Sequence, residues 1–198
     1  KRYNKLFQDA EIYLDSIFQV ITQCGFDNNS LILVMSDHGI SIGEKFGERA
    51  YGAFCYDYTL RTFTYFICPN FSPKHITQQI RTIDLMPTIL DYLGIPLDES
   101  YEHIDGVSLM PLVKGQKQPE MIAFTETGNP LDENKPPKEP NTKSVRTSKW
   151  KLIYNEYNNT KELYNLEKDP TETNNLINSG LEIEEFLWNE LIRAQNGI

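Results

Sequence analysis

Ser30-Leu31-Ile32-Leu33-Val34-Met35-Ser36-Asp37-His38-Gly39 is the stretch from which the fold is read. Its first half is a continuous apolar run of strand length with no polar alternation, which predicts a strand buried on both faces, as in the middle of a parallel sheet. Its second half places a carboxylate and an imidazole where that strand ends, and open α/β sheets gather their ligands at the carboxyl ends of strands. Gly39 then allows a sharp turn and a close approach of the backbone. Upstream, Leu6, Ala10, Tyr13, Leu14, Ile17, Ile21 and Cys24 recur at three- and four-residue steps, as an amphipathic helix packed on one face requires, and Gly25 ends it. A helix feeding a buried strand predicts an α/β fold.

Downstream, the Gly-rich, charged stretch from Gly39 to Gly52 reads as a loop, and Thr62 to Cys68 as a second strand stopped by Pro69-Asn70. Asp84 is placed to cap a helix running through Leu93, with Pro87 in the first turn and Gly94 closing it. Beyond Gly115 the composition changes, and Asn129 to Asn141 holds four of the eleven prolines, as a long surface loop would. Strand-like pieces flank it at Ile122 to Glu126 and Trp150 to Tyr154, and Leu181 to Ala194 has helical periodicity. The expected organisation is therefore an α/β core over residues 1–118 and a small α+β subdomain over residues 119–198.

The 198 residues are 39% hydrophobic, enough for a core of ordinary size, and carry a formal net charge of −9. The basic residues are scattered, which argues against a nucleic-acid surface. No window approaches the roughly 20 apolar residues of a membrane span. The three cysteines, Cys24, Cys55 and Cys68, fit neither a disulfide framework nor a zinc motif and are expected as buried small hydrophobes.

Asp37-His38 alone is a short motif, but further segments follow it in a recognisable order. They are Ile42-Gly43-Glu44; Tyr56-Asp57-Tyr58-Thr59-Leu60-Arg61; Thr82-Ile83-Asp84-Leu85-Met86-Pro87-Thr88; and Asp105-Gly106-Val107-Ser108-Leu109. Late in the chain come Val145-Arg146-Thr147, Lys151-Leu152-Ile153, Glu162-Leu163-Tyr164-Asn165-Leu166, and Asp169-Pro170-Thr171-Glu172 with Asn174-Asn175-Leu176. In this order they resemble the C-terminal part of the sulfatases of the alkaline phosphatase superfamily.

That resemblance implies the C-terminal part of a mixed sheet flanked by helices, with a small C-terminal α+β subdomain. It implies a sulfuric ester hydrolase in which Asp37 and His38 are metal ligands for one divalent cation, calcium or, given the imidazole, manganese or zinc. The family's nucleophile is a Cys or Ser converted to formylglycine in a segment that this chain lacks. Cys68-Pro69-Asn70 does not match it, so no catalytic residue is expected here and the chain alone should be inert. Where relatives carry a Lys or His that contacts the sulfate or its metal, this chain has Tyr51, which brings a hydrogen-bond donor but no positive charge. Tyr51 is thus the candidate substrate-binding residue, with Lys45 or Arg49 of the same loop as its replacement. His75 and His103 are expected as surface or capping residues.

The implied partner is a sulfate-ester small molecule or glycan. Self-association is also expected, through a face that the rest of a longer protein would cover. Two other readings stand beside the sulfatase. One is a phosphodiesterase, phosphonate hydrolase or phosphoethanolamine transferase of the same superfamily, which shares the Asp-His pair. The other is a non-catalytic binding module that kept the fold.

Overall fold

The computed structural model of the chain describes residues 2–46, 53–96, 105–128 and 140–197. They form two compact units, one of Lys1–Ser36 with Phe63–Lys74 and one of Asp37–Thr62 with His75–Ile198.

The first unit holds helix α1, Arg2–Gln23, and two strands, β1 at Ile32–Met35 and β2 at Thr64–Ile67. The strands pair antiparallel, from Ile32 opposite Ile67 to Met35 opposite Thr64. Ser36 extends the pairing: its amide donates to the Phe63 carbonyl at 3.2 Å and its hydroxyl accepts from the Phe63 amide at 3.2 Å. The expectation of a parallel strand buried on both faces is therefore corrected, since β1 is antiparallel and only half-buried. An unbroken apolar run identifies a strand, but its partner and direction depend on residues some thirty positions away. The packed face expected for α1 is corrected too. Leu6, Tyr13 and Ile17 are exposed, as are Phe7, Ile12 and Val20 beside them.

The second unit is built on a four-stranded antiparallel sheet in the order β3-β4-β5-β6. The strands are Ala123–Thr127, Thr142–Arg146, Trp150–Asn155 and Thr160–Asn165, and helix α5, Glu182–Gln195, packs on β4 and β5. Val145, Leu152, Leu163, Leu187 and Leu191 are fully buried between sheet and helix. Each is a side chain whose complete burial is worth about 1.5–3 kcal/mol. Three helices complete the unit: α2 at Asp57–Leu60, α3 at Leu85–Leu93 entered through a 3-10 turn at Thr82–Asp84, and α4 at Met110–Val113. Gly94 closes α3 in the left-handed region at φ 66°, the role read for it in the sequence.

Asp84 stands at the start of α3, but its carboxylate does not cap that helix. It accepts instead from the Arg81 amide at 3.0 Å, the Arg81 guanidinium at 2.7 Å and the Val107 amide at 3.0 Å, so it joins the turn before α3 to the segment leading to α4. The cysteines divide: Cys55 is buried as expected, whereas Cys24 is exposed and Cys68 intermediate. The described residues thus form mixed helices and small antiparallel sheets.

Candidate metal site and the charges behind it

Asp37 and His38 follow β1 by two and three residues. Their side chains stand together, with His38 Nε2 3.5 Å from Asp37 Oδ2 and side-chain exposures of 43% and 85%. The other ring nitrogen, Nδ1, lies 2.6 Å from the Gly39 carbonyl. A carbonyl only accepts, so Nδ1 carries a proton; in the neutral ring Nε2, on the side of the carboxylate, is then the acceptor. Two acceptors facing each other at this distance can both reach one divalent cation at about 2.0–2.5 Å. The second carboxylate oxygen accepts from the His38 amide at 2.8 Å, which orients the group. These two residues fit part of a metal coordination set. Among the described residues no cluster of three or more His, Cys, Asp or Glu completes it.

The loop that carries the pair belongs to the second unit and is fixed within it at two points. Gly39 donates its amide to the Thr59 carbonyl of α2 at 2.8 Å. The chains lie so close there that a Cβ on residue 39 would collide with the Tyr58 carbonyl. Farther on, the Lys45 ammonium donates to the Glu172 carbonyl and sits over the Tyr56 ring, 4.4 Å from its centroid, with Tyr164 at 5.5 Å. Between these points Glu44 folds back to accept from the Ile42 amide at 2.8 Å and the Ser41 hydroxyl at 3.1 Å.

Behind the loop lies a buried cluster of charges. Lys151, with no exposed surface, donates to Asp57 at 2.9 Å and pairs with Glu172 at 2.8 Å. The Arg146 guanidinium grips the same Asp57 carboxylate through Nε at 3.0 Å and a terminal nitrogen at 2.8 Å, while the Asp57 amide donates to Glu172 at 2.7 Å. Burial works against ionisation of Asp57, but the Arg146 hydrogen bonds and the Lys151 and Arg146 charges outweigh it and hold its carboxyl down to about 2. Burial pushes the Glu172 carboxyl up, against the opposing pull of Lys151. Next to the cluster, Tyr56 and Tyr164 both donate to Glu162, at 2.7 and 2.5 Å. Burial and that carboxylate push both phenols upward.

Asp57, Arg146, Lys151 and Glu172 come from separate stretches of the chain. Sequence reading used them only as markers of resemblance, and none is adjacent in sequence to another. Of the other candidates, His75 is exposed. Tyr51, Arg49 and His103 lie outside the described residues.

Comparison with known proteins gives the family and the fold. Residues 51–196 match the family N-sulphoglucosamine sulphohydrolase, C-terminal. Choline-sulfatase of Rhizobium meliloti is 28% identical over 172 residues, covering 83% of this chain and 31% of the relative. The Delta 4,5-hexuronate-2-O-sulfatase of Bacteroides thetaiotaomicron is 26% identical over 170 residues, covering 82% and 34%. A structure solved in complex with its substrate D-glucosamine-2-N,6-O-disulfate superposes with TM-score 0.71 at 24% identity, covering 92% of this chain and 37% of that one. The phosphonate monoester hydrolase of Agrobacterium radiobacter superposes with TM-score 0.70 at 21% identity, covering 92% and 38%. At that identity the two superpositions speak for the fold.

The fold is thus one used by sulfatases and phosphonate hydrolases alike. The chain belongs to the sulfatases, in the family formed by the C-terminal region of N-sulphoglucosamine sulphohydrolase. It spans about a third of the length of the curated relatives it matches.

Proposed function

We propose that this chain is the metal-bearing C-terminal portion of a sulfuric ester hydrolase, with residues 1–118 forming part of the catalytic α/β core and residues 119–198 a small C-terminal subdomain. In the intact protein β1 and β2 would belong to a larger mixed sheet. The observation that carries the reading is the Asp37–His38 pair, whose Oδ2 and Nε2 face each other at 3.5 Å on a loop fixed by Gly39. Asp37 and His38 would hold one divalent cation, calcium or manganese or zinc, with the remaining ligands and the formylglycine nucleophile supplied from outside this chain. When bound, such a cation neutralises negative charge on a sulfate-ester oxygen as the ester bond breaks. This chain's own part is to orient that cation's ligands: Nδ1–H is fixed on the Gly39 carbonyl and the Asp37 carboxylate on the His38 amide. Tyr51 is proposed to meet the substrate as a neutral hydrogen-bond donor.

The substrate proposed is a sulfate-ester small molecule or glycan, and the glycan is supported by one relative named for a sulfated hexuronate and another, an N-acetylglucosamine-6-sulfatase of Bos taurus. The test uses the intact protein with D-glucosamine-2-N,6-O-disulfate and a phosphonate monoester as parallel substrates. Sulfate release that falls at least about a hundredfold in Asp37→Ala and His38→Ala supports the reading. Full activity in either variant overturns the metal assignment, and turnover of the phosphonate alone moves the protein to the phosphoryl branch.

A further inference from the structure

The loop bearing Asp37 and His38 is held by two anchors that lead to the C-terminal sheet. Its first anchor is the Gly39 amide on the Thr59 carbonyl, and Thr59 lies in a helix whose first residue is Asp57. Asp57 is in turn fixed by Arg146 from β4, Lys151 from β5 and Glu172 from the turn after β6. Its second anchor is Lys45, which reaches the carbonyl of that same Glu172 and lies over Tyr56 and Tyr164. Both anchors therefore end on one buried cluster. Within it Glu172 adopts a left-handed backbone at φ 53°, and Cys55, just before Tyr56, does so at φ 61°. A non-glycine residue holds that conformation at a cost of about 1–2 kcal/mol, and its persistence here means that surrounding contacts over-determine the geometry.

We propose that Lys45 and the buried Asp57–Arg146–Lys151–Glu172 cluster are a positioning device, through which the C-terminal sheet sets the loop of the Asp37–His38 pair. Lys45 then acts on the site through Glu172 and the two tyrosines rather than by touching substrate. The ammonium is well suited to this, because a cation over two aromatic faces and on a carbonyl is held from three directions. The cluster suits it as well. Its two cations and two carboxylates are mutually paired, so any one of them released alone would leave another buried and unmatched. For its metal readout the proposal rests on the function proposed above; its exchange readout does not.

The experiment compares the full chain with Lys45→Met, Lys45→Arg and, as a control, Lys149→Met, whose pair with Glu167 is exposed. Lys45 is partly exposed but lies on the core tyrosines Tyr56 and Tyr164, so exchange in β5 serves as the check that the core is kept. Amide hydrogen exchange is followed at Gly39, across residues 37–46 and in β5, and Mn2+ affinity is measured by electron paramagnetic resonance. In Lys45→Met, exchange at Gly39 is expected to rise about tenfold while β5 stays unchanged, and Mn2+ binding to weaken about ten- to a hundredfold, the usual effect of losing a supporting contact behind a metal ligand. Lys45→Arg should recover most of both, and Lys149→Met should move neither. Gly39 exchange in Lys45→Met equal to that of the unaltered chain overturns the proposal, as does a rise shared equally by β5, which would mark a general loss of stability. The described residues hold only two of the ligands, so where the unaltered chain binds no Mn2+ the exchange arm alone decides the positioning role.

Discussion

The Gly39 amide meets the Thr59 carbonyl at 2.8 Å, and the backbones approach so closely that no side chain fits at position 39. Gly39→Ala must push α2 and the loop apart. The expected loss is about 1–3 kcal/mol, the usual range for forcing atoms into a packed contact, with Mn2+ affinity falling alongside it. Chemical denaturation and metal titration of one preparation check both, and an alanine variant as stable as the parent would show that the loop moves freely.

Lys151→Met is expected to destabilise the second unit by about 3–5 kcal/mol, because Glu172 is left buried without its ammonium. Adding Glu172→Gln to it should recover part of that loss, since the uncompensated charge disappears with its carboxylate. Denaturant midpoints of the two single variants and the double variant measure this coupling, and strictly additive losses would mean that the two side chains do not interact.

Asp57 gives the acid side of the stability profile its sign. Its folded carboxyl titrates at about 2, below the ordinary 3.8, so the stability it contributes is fully present above about pH 4 and is lost as pH falls toward 2. Glu172 acts the other way: its raised value means that the unfolded chain releases that proton more readily. Melting temperature against pH should therefore fall steeply below about pH 4 in the parent and less steeply in Asp57→Asn. Parallel curves would contradict the assignment.

Asn175 joins the turn after β6 to the sheet. Its side-chain oxygen accepts from the Leu163 amide at 3.0 Å and the Ile177 amide at 3.0 Å. Asn175→Ala leaves two backbone donors without this partner, so a loss of about 1–3 kcal/mol is expected. Asn175→Asp, which keeps an acceptor, should lose less; thermal melts of the pair decide.

The apolar stripe of α1 is expected to drive self-association, because Leu6, Phe7, Tyr13 and Ile17 are exposed on one side of it. Sedimentation velocity should show concentration-dependent association that Phe7→Ser with Ile17→Ser reduces. A monomer at all concentrations would remove the expectation.

Local signals in the sequence located α3 with its closing Gly94, the final helix, and the strands around Trp150 and Ala123, because periodicity and turn residues act over a few positions. Two strands went unread. Thr142–Arg146 and Thr160–Asn165 are rich in polar residues and owe their strand state to pairing on both sides or to the ladder with β5. β2 was legible as a strand, but its antiparallel pairing with β1 was not, since pairing is a tertiary choice. At the site, Asp37 and His38 were legible because adjacent donors at a strand end have a chemical reading of their own. The ion-pair cluster was not. Residues 57, 146, 151 and 172 meet only after the sheet has formed, and each alone reads as an ordinary surface charge.

The enclosure of Lys151 has a consequence for covalent chemistry. Amine-acylating reagents need a nitrogen that is both reachable and carrying a free electron pair, and an ammonium with no exposed surface held by two carboxylates meets neither condition. In a lysine-labelling experiment on the folded chain Lys151 should be the last amine to react, and the rate of its acylation would report how often this part of the sheet opens. Lys149, two residues earlier and exposed, provides an internal reference on the same peptide.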